Sequence, residues 1–135
     1  MLKKLIPYLL IGLIAASCGN QDPSQQADNA IDGGRNFIEN YMKGDMKQAK
    51  LFVVESPENK AHFEQLINEY FGLDKEGRMQ LRLASLQINE IKSIDDKTTV
   101  IYYQNSFDKK PRWLKVISTN QGWKVDLKYS YGPKI

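Results

Sequence analysis

Apolar residues along Ala30 to Phe52 (AIDGGRNFIENYMKGDMKQAKLF) fall on a helical period that breaks once, at Gly44. Ala30, Ile31, Phe37, Ile38, Tyr41 and Met42 form one stripe with a 3.6-residue repeat, and Gly34 lies on it as a gap that lets a neighbour come close. Asn29 suits the N-cap, with Asp32 at N3 to complete a capping box. Gly44 suits a left-handed C′ position, and Asp45 then caps a second helix with Gln48 at its N3. Ala49, Phe52 and Val53 supply the next apolar face. A third helix opens at Ser56-Pro57, a cap followed by a proline at N1, and carries Phe63, Leu66, Ile67, Tyr70 and Phe71 as far as Gly72.

Leu73 to Gln80 reads as a charged link with room for one more helical turn, and after it the period changes to two. Leu81, Leu83, Leu86, Ile88 and Ile91 predict a long strand, interrupted at Ala84-Ser85 and bulged at Asn89-Glu90. Asp95-Asp96 turns the chain into a strand over Thr98 to Asn105, and Asp108-Lys109-Lys110 turns it again. In the next strand, Arg112 to Thr119, Trp113 and Ile117 face opposite to Leu114 and Val116. Asn120-Gln121-Gly122 makes the last turn, Gly122 supplying a positive φ. Trp123, Val125, Leu127 and Tyr129 then share one face of a final strand, with Lys124, Asp126 and Lys128 on the other, facing solvent. Trp123 is expected to anchor the core, and Trp113 to sit at an edge or cavity mouth. The result is an α+β domain, three N-terminal helices packed on a curved antiparallel sheet of about four strands.

The leader changes the picture of where this domain works. Residues 1–17 (MLKKLIPYLLIGLIAAS) join a basic start, a short apolar run and small residues, the pattern of a secretory signal. The one cysteine, Cys18, excludes an intramolecular disulfide. Its surroundings resemble the bacterial lipobox, with Ala15 in place of the favoured Leu. That resemblance implies lipidation at Cys18, which makes the membrane a partner. The same resemblance implies the outer membrane more than the inner, because Asn20, second after the cysteine, is not the Asp that such lipoproteins use for inner-membrane retention. Residues 18–28 are small and polar and read as a tether, which leaves 29–135 for the domain.

Charge adds little. Removing Lys3 and Lys4 from 19 basic residues leaves 17 against 16 acidic ones, a net charge of +1 that gives no footing for nucleic acid. Eight of the basic residues lie in 97–135, against Asp108 and Asp126, a density a solvated surface explains as readily as anionic lipid does. His62 has no Cys or second His beside it, so the sequence nominates no metal site, and it implies no cofactor.

The helix ending Tyr41-Met42-Lys43-Gly44-Asp45, then Ala49, and the terminal Gly122-Trp123-Lys124-Val125 together resemble an NTF2-like (cystatin-like) cone. More narrowly they resemble small bacterial lipoproteins of the Bacteroidetes type, the lumazine-binding-like domain-of-unknown-function 4878 family. The resemblance spans about residues 29–130. It implies a cavity between helices and sheet that serves isomerases and dehydratases in some members and plain binding or dimerisation in others. No Asp-His or paired-carboxylate set can be assembled here with the right facing, so no catalytic residue is named, although a change of register would bring Glu90 or Asp108 to the mouth. Tyr41, Tyr70, Phe71, Tyr102, Tyr103 and Trp113 are the expected cavity lining, and Gly44, Asp45, Gly122 and Trp123 the structural positions. The expected function is non-catalytic binding of a small apolar or amphipathic ligand or of a protein partner. Acid-base catalysis in the cavity is one alternative, and homodimerisation through a sheet face bearing Arg112, Leu114 and Val116 is another.

Overall fold

The computed structural model describes residues 26–130; the leader, Cys18 and most of the tether lie outside them. Helix α1 runs Ala30–Met42, α2 Met46–Lys50, α3 Pro57–Gly72 and α4 Lys75–Leu83. Strands β1 (Leu86–Asp95), β2 (Thr98–Asn105), β3 (Arg112–Thr119) and β4 (Gly122–Val125) form an antiparallel meander in sequential order. A single 3₁₀ turn, Leu127–Tyr129, follows.

The helix starts are set by local chemistry. The side-chain oxygens of Asn29, Asp45 and Ser56 accept from the backbone N–H of Asp32, Gln48 and Asn59 at 2.8, 3.1 and 3.0 Å. Asp32 reaches back to the Asn29 side-chain amide at 2.9 Å, a variant of the capping box. Gly44 sits at φ 77°, so the chain reverses within three residues between α1 and α2.

Helix α1 lies across β2, β3 and β4, and two glycines let it sit close. A Cβ at Gly34 would come within 2.6 Å of Ile101 Cδ1, and one at Gly33 within 2.7 Å of the Trp123 carbonyl oxygen. The core is Phe37, Ile38, Phe52, Val53, Phe63, Ile101, Leu114, Val116, Val125 and Leu127, all buried. Asn59 is a polar member of it. Its amide donates to Val54 O at 3.0 Å and its Oδ1 accepts from Lys128 N at 2.9 Å, which ties the α2–α3 link to the C-terminal turn. The outer edge of β4 is covered, since Val125 N donates to Phe52 O and Val54 N to Val125 O. Ala27, placed by sequence in the tether, is buried and accepts from Trp123 N.

Four expectations change. Residues 75–83 form a full fourth helix, where a link with one more helical turn and then strand was expected: Asp74 caps it by accepting from Gly77 N at 2.7 Å, Leu81 is buried and Leu83 is exposed. Strand β1 therefore starts only at Leu86, and its register slips between Ile88 and Glu90, as the break in alternation implied. The last strand stops at Val125. The N–H groups of Tyr129 and Ser130 turn back to the carbonyls of Asp126 and Leu127, which leaves Leu127 buried and Tyr129 half exposed under Lys115 and Lys128. With that turn Asp126, expected in solvent, is buried, and its Oδ1 has no hydrogen-bond partner among the described residues. Finally, Leu114 and Val116 face the helices and are buried, so they cannot form an exposed dimerisation face.

Candidate functional site

Between α1, α3 and α4 on one side and β2–β3 on the other lies a cleft of about 590 Å³. Its walls are apolar where they are deepest: Phe37, Ile38 and Met42 from α1, Leu66 from α3, Leu81 from α4 and Leu114 from β3. A cleft of this size is on the scale of small-molecule sites.

Polar groups gather at one end. The alternation of β2 buries Thr99, Ile101, Tyr103 and Asn105 and turns Tyr103 toward the helices, where its register partner is Arg112. Asn105 Oδ1 accepts from the N–H groups of Phe107 and Asp108, both at 3.0 Å, and so shapes the β2–β3 loop. The loop passes through Lys109 at φ 56° and holds Asp108 against Arg112. Arg112 donates twice to Asp108, at 2.9 Å to Oδ1 and 2.6 Å to Oδ2, a bidentate pair. Partial burial raises the Asp108 carboxyl, but the Arg112 hydrogen bonds, with help from Lys110, outweigh it and hold the group below its ordinary value. The same bonds raise Arg112, against its own burial.

Both tyrosines of the cleft are held neutral. Burial pushes the Tyr103 phenol up to about 12, only partly offset by Arg112. Burial raises Tyr41 further, and Glu69 adds to the shift; its hydroxyl donates to Leu66 O at 3.0 Å. The cleft thus presents neutral phenols and a self-neutralised ion pair beside an apolar floor. That combination can orient a hydrogen-bonding group on an apolar molecule. The one carboxyl of the cleft shown to shift, that of Asp108, moves downward.

Of the residues expected in the cavity, Tyr41, Tyr103 and Trp113 border the cleft. Tyr70 lies behind it, its ring edge-on to Tyr41 at 5.7 Å and its hydroxyl packed on Gly44, without a hydrogen-bond partner among the described residues. Phe71 is 57% exposed on the far side of Tyr70. Tyr102 is on the opposite sheet face, beneath Lys92, whose Nζ lies 5.4 Å from the ring centroid. Glu90 pairs with the same lysine at 3.7 Å, away from the cleft, whereas Asp108 is in it. Arg112 was the residue the sequence hid: its alternation partners Leu114 and Val116 signalled a shared face, but not that the helices cover it. His62 also borders the cleft. Among the described residues no group of three His, Cys, Asp or Glu side chains is placed to hold a metal ion, and no helix is long and apolar enough to cross a membrane. Comparison with protein-family models, with curated proteins and with solved structures returns no match.

Proposed function

We propose that this chain is an envelope lipoprotein, anchored through Cys18, whose NTF2-like module binds a small apolar or amphipathic ligand in the helix–sheet cleft without transforming it. The observation that carries the reading is the cleft itself, an apolar floor of about 590 Å³ ending in neutral Tyr41 and Tyr103 beside the Asp108–Arg112 pair. Its affinity comes from burying the ligand's apolar body, and its orientation from a phenol hydrogen bond. The order of helices before a four-stranded meander, the Gly44-Asp45 corner and the Gly122–Val125 strand support the superfamily assignment.

The test uses N-phenyl-1-naphthylamine, an uncharged apolar fluorophore, titrated into the full chain. Leu66→Trp together with Leu73→Trp narrows the cleft at two half-buried positions. One-site binding that weakens by at least roughly tenfold in this variant is expected. Equal binding to both proteins refutes the cleft as the site. Anchoring is tested separately: Cys18→Ser should release the protein from the membrane fraction, and wild-type protein recovered soluble and unacylated refutes the anchor.

A further inference from the structure

The other flank of α3 borders a second concavity, of about 840 Å³, enclosed by α2, the link to α3 and the β3–β4 turn. The two sites share the helix and divide its surface. Residues 62, 65, 66 and 69 line the cleft, whereas 60, 63, 64 and 67 line this groove, two stripes of the same i, i+3, i+4, i+7 form.

The chemistry of the groove differs from that of the cleft. Leu51, Val53, Phe63 and Ile67 give it an apolar floor. Lys47, Lys50, Lys60 and Lys124 stand around it, against Glu55 and Glu64, an excess of two positive charges. Lys124 donates to Gln121 Oε1 at 2.9 Å, but Lys47, Lys50 and Lys60 form no ion pair among the described residues. An apolar trough bordered by Lys47, Lys50 and Lys60, which are in no ion pair among the described residues, complements a molecule that is apolar along its body and negative at one end. Its concavity and volume of about 840 Å³ are on the scale of a single bound molecule.

We propose that this groove binds a single-chain amphipath with an anionic head, a long-chain carboxylate, its chain on the Leu51–Val53–Ile67 floor and its head among the lysines. The site stands apart from the cleft, and the two separate by charge: the cleft is lined by neutral phenols and a closed Asp108–Arg112 pair, the groove by an excess of cations.

Titration of the full chain with cis-parinaric acid, a fluorescent long-chain carboxylate, and with its methyl ester tests the proposal. The acid is expected to bind, the ester about tenfold more weakly, and Lys50→Glu with Lys60→Glu to weaken the acid by about tenfold while leaving the ester unchanged. Should the charge-reversed protein fail to fold, Lys47→Gln with Lys50→Gln reads the same effect at smaller amplitude. The cleft-narrowing Leu66→Trp, Leu73→Trp variant should keep its affinity for the acid. Equal affinity for acid and ester overturns the proposal, as does indifference to the lysine substitutions. Loss of acid binding in the cleft-narrowed variant overturns it by placing the acid in the cleft. Binding only to vesicles containing anionic phospholipid, and not to the monomeric acid, overturns it by making the face a membrane-docking surface.

Discussion

Gly33→Ala adds one methyl group where α1 meets β4, and the structure says what it strikes. An ideal Cβ there lies 2.7 Å from the carbonyl oxygen of Trp123 and 3.1 Å from both its carbonyl carbon and its Cβ. Carbon contacts settle at about 3.5–4.0 Å, so helix and strand must part by several tenths of an ångström. Neither side gives easily. The struck atoms belong to the backbone of β4, which is paired with β3 on one edge and held on the other by Trp123 N to Ala27 O at 3.0 Å and Val125 N to Phe52 O at 2.7 Å. Moving α1 instead loosens Gly34 on Ile101. Overpacking of this kind costs about 1–3 kcal/mol, against a helix-propensity gain of up to about 1 kcal/mol for Gly to Ala. The net expectation is a loss of about 1–2 kcal/mol, which for a domain of this length lowers Tm by roughly 5–10 °C. Gly72→Ala is the control, because its Cβ meets nothing within 4 Å. That variant should melt unchanged or slightly higher, by up to about 1 kcal/mol. Thermal unfolding followed by circular dichroism reads both. If Gly33→Ala melts at or above wild type, α1 does not sit on β4 at this distance and the packing argument fails.

Three further outcomes are expected. Gly44→Val forces a β-branched residue to φ 77° and places its Cβ 2.6 Å from Tyr70 Oη, at a cost of about 3 kcal/mol; an unchanged denaturation midpoint would mean the corner is not where the structure has it. Asn59→Ala strips partners from Val54 O and Lys128 N together, and should cost about 2–4 kcal/mol in urea unfolding, where a loss below about 1 kcal/mol would show that water replaces the bridge. Asp108 has a lowered folded pKa, so its contribution is complete above the unfolded value of 3.8 and disappears as pH falls below it. Asp108→Asn should therefore be less stable than wild type by about 1 kcal/mol at pH 7, with the difference closing below pH 3.8; a gap that stays constant down to pH 2 would mean the Arg112 pair does not stabilise the fold.

What the sequence made legible was what neighbours in the chain decide. Asn29, Asp45 and Ser56 each cap the N–H three residues on, a contact that needs no tertiary partner, and all three helix starts fall where those residues put them. The limits of β2 and β3 follow in the same way from the turn residues between them. The errors begin where one spacing fits two structures. Leu81 and Leu83, two apart, suit a strand, but they also suit the end of a helix with one residue buried and one exposed, and Asp74 with its bond to Gly77 N decides for the helix. Trp123 to Tyr129 keeps a period of two on paper, whereas only its first half pairs with β3 before the chain closes into a 3₁₀ turn and buries Asp126.

The site was harder to read because it depends on which side of a correctly read strand the helices occupy. Alternation put Arg112, Leu114 and Val116 on one face, and that grouping stands. Assigning that face to solvent or to the core, however, is settled by the Gly33–Gly34 approach of α1, which no residue of β3 encodes. Once α1 covers it, Arg112 becomes the polar end of a cleft in place of a surface cation, and Asp108, four residues earlier in the loop, becomes its partner. Helix α3 repeats the lesson. Its apolar run looks like one stripe destined for one core, but of that run only Phe63 and Tyr70 are fully buried, Phe63 against Phe37 at 6.4 Å and Tyr70 against Tyr41 at 5.7 Å, while Leu66 and Ile67 diverge to opposite flanks. A helix whose stripe is wider than its core contact leaves apolar surface on both sides, and here each side closes into a concavity. Neighbouring charge then makes the two unlike. Arg112 on the sheet side is cancelled by Asp108, whereas the lysines on the α2 side have too few carboxylates to cancel them, so a single helix separates a neutral site from a cationic one.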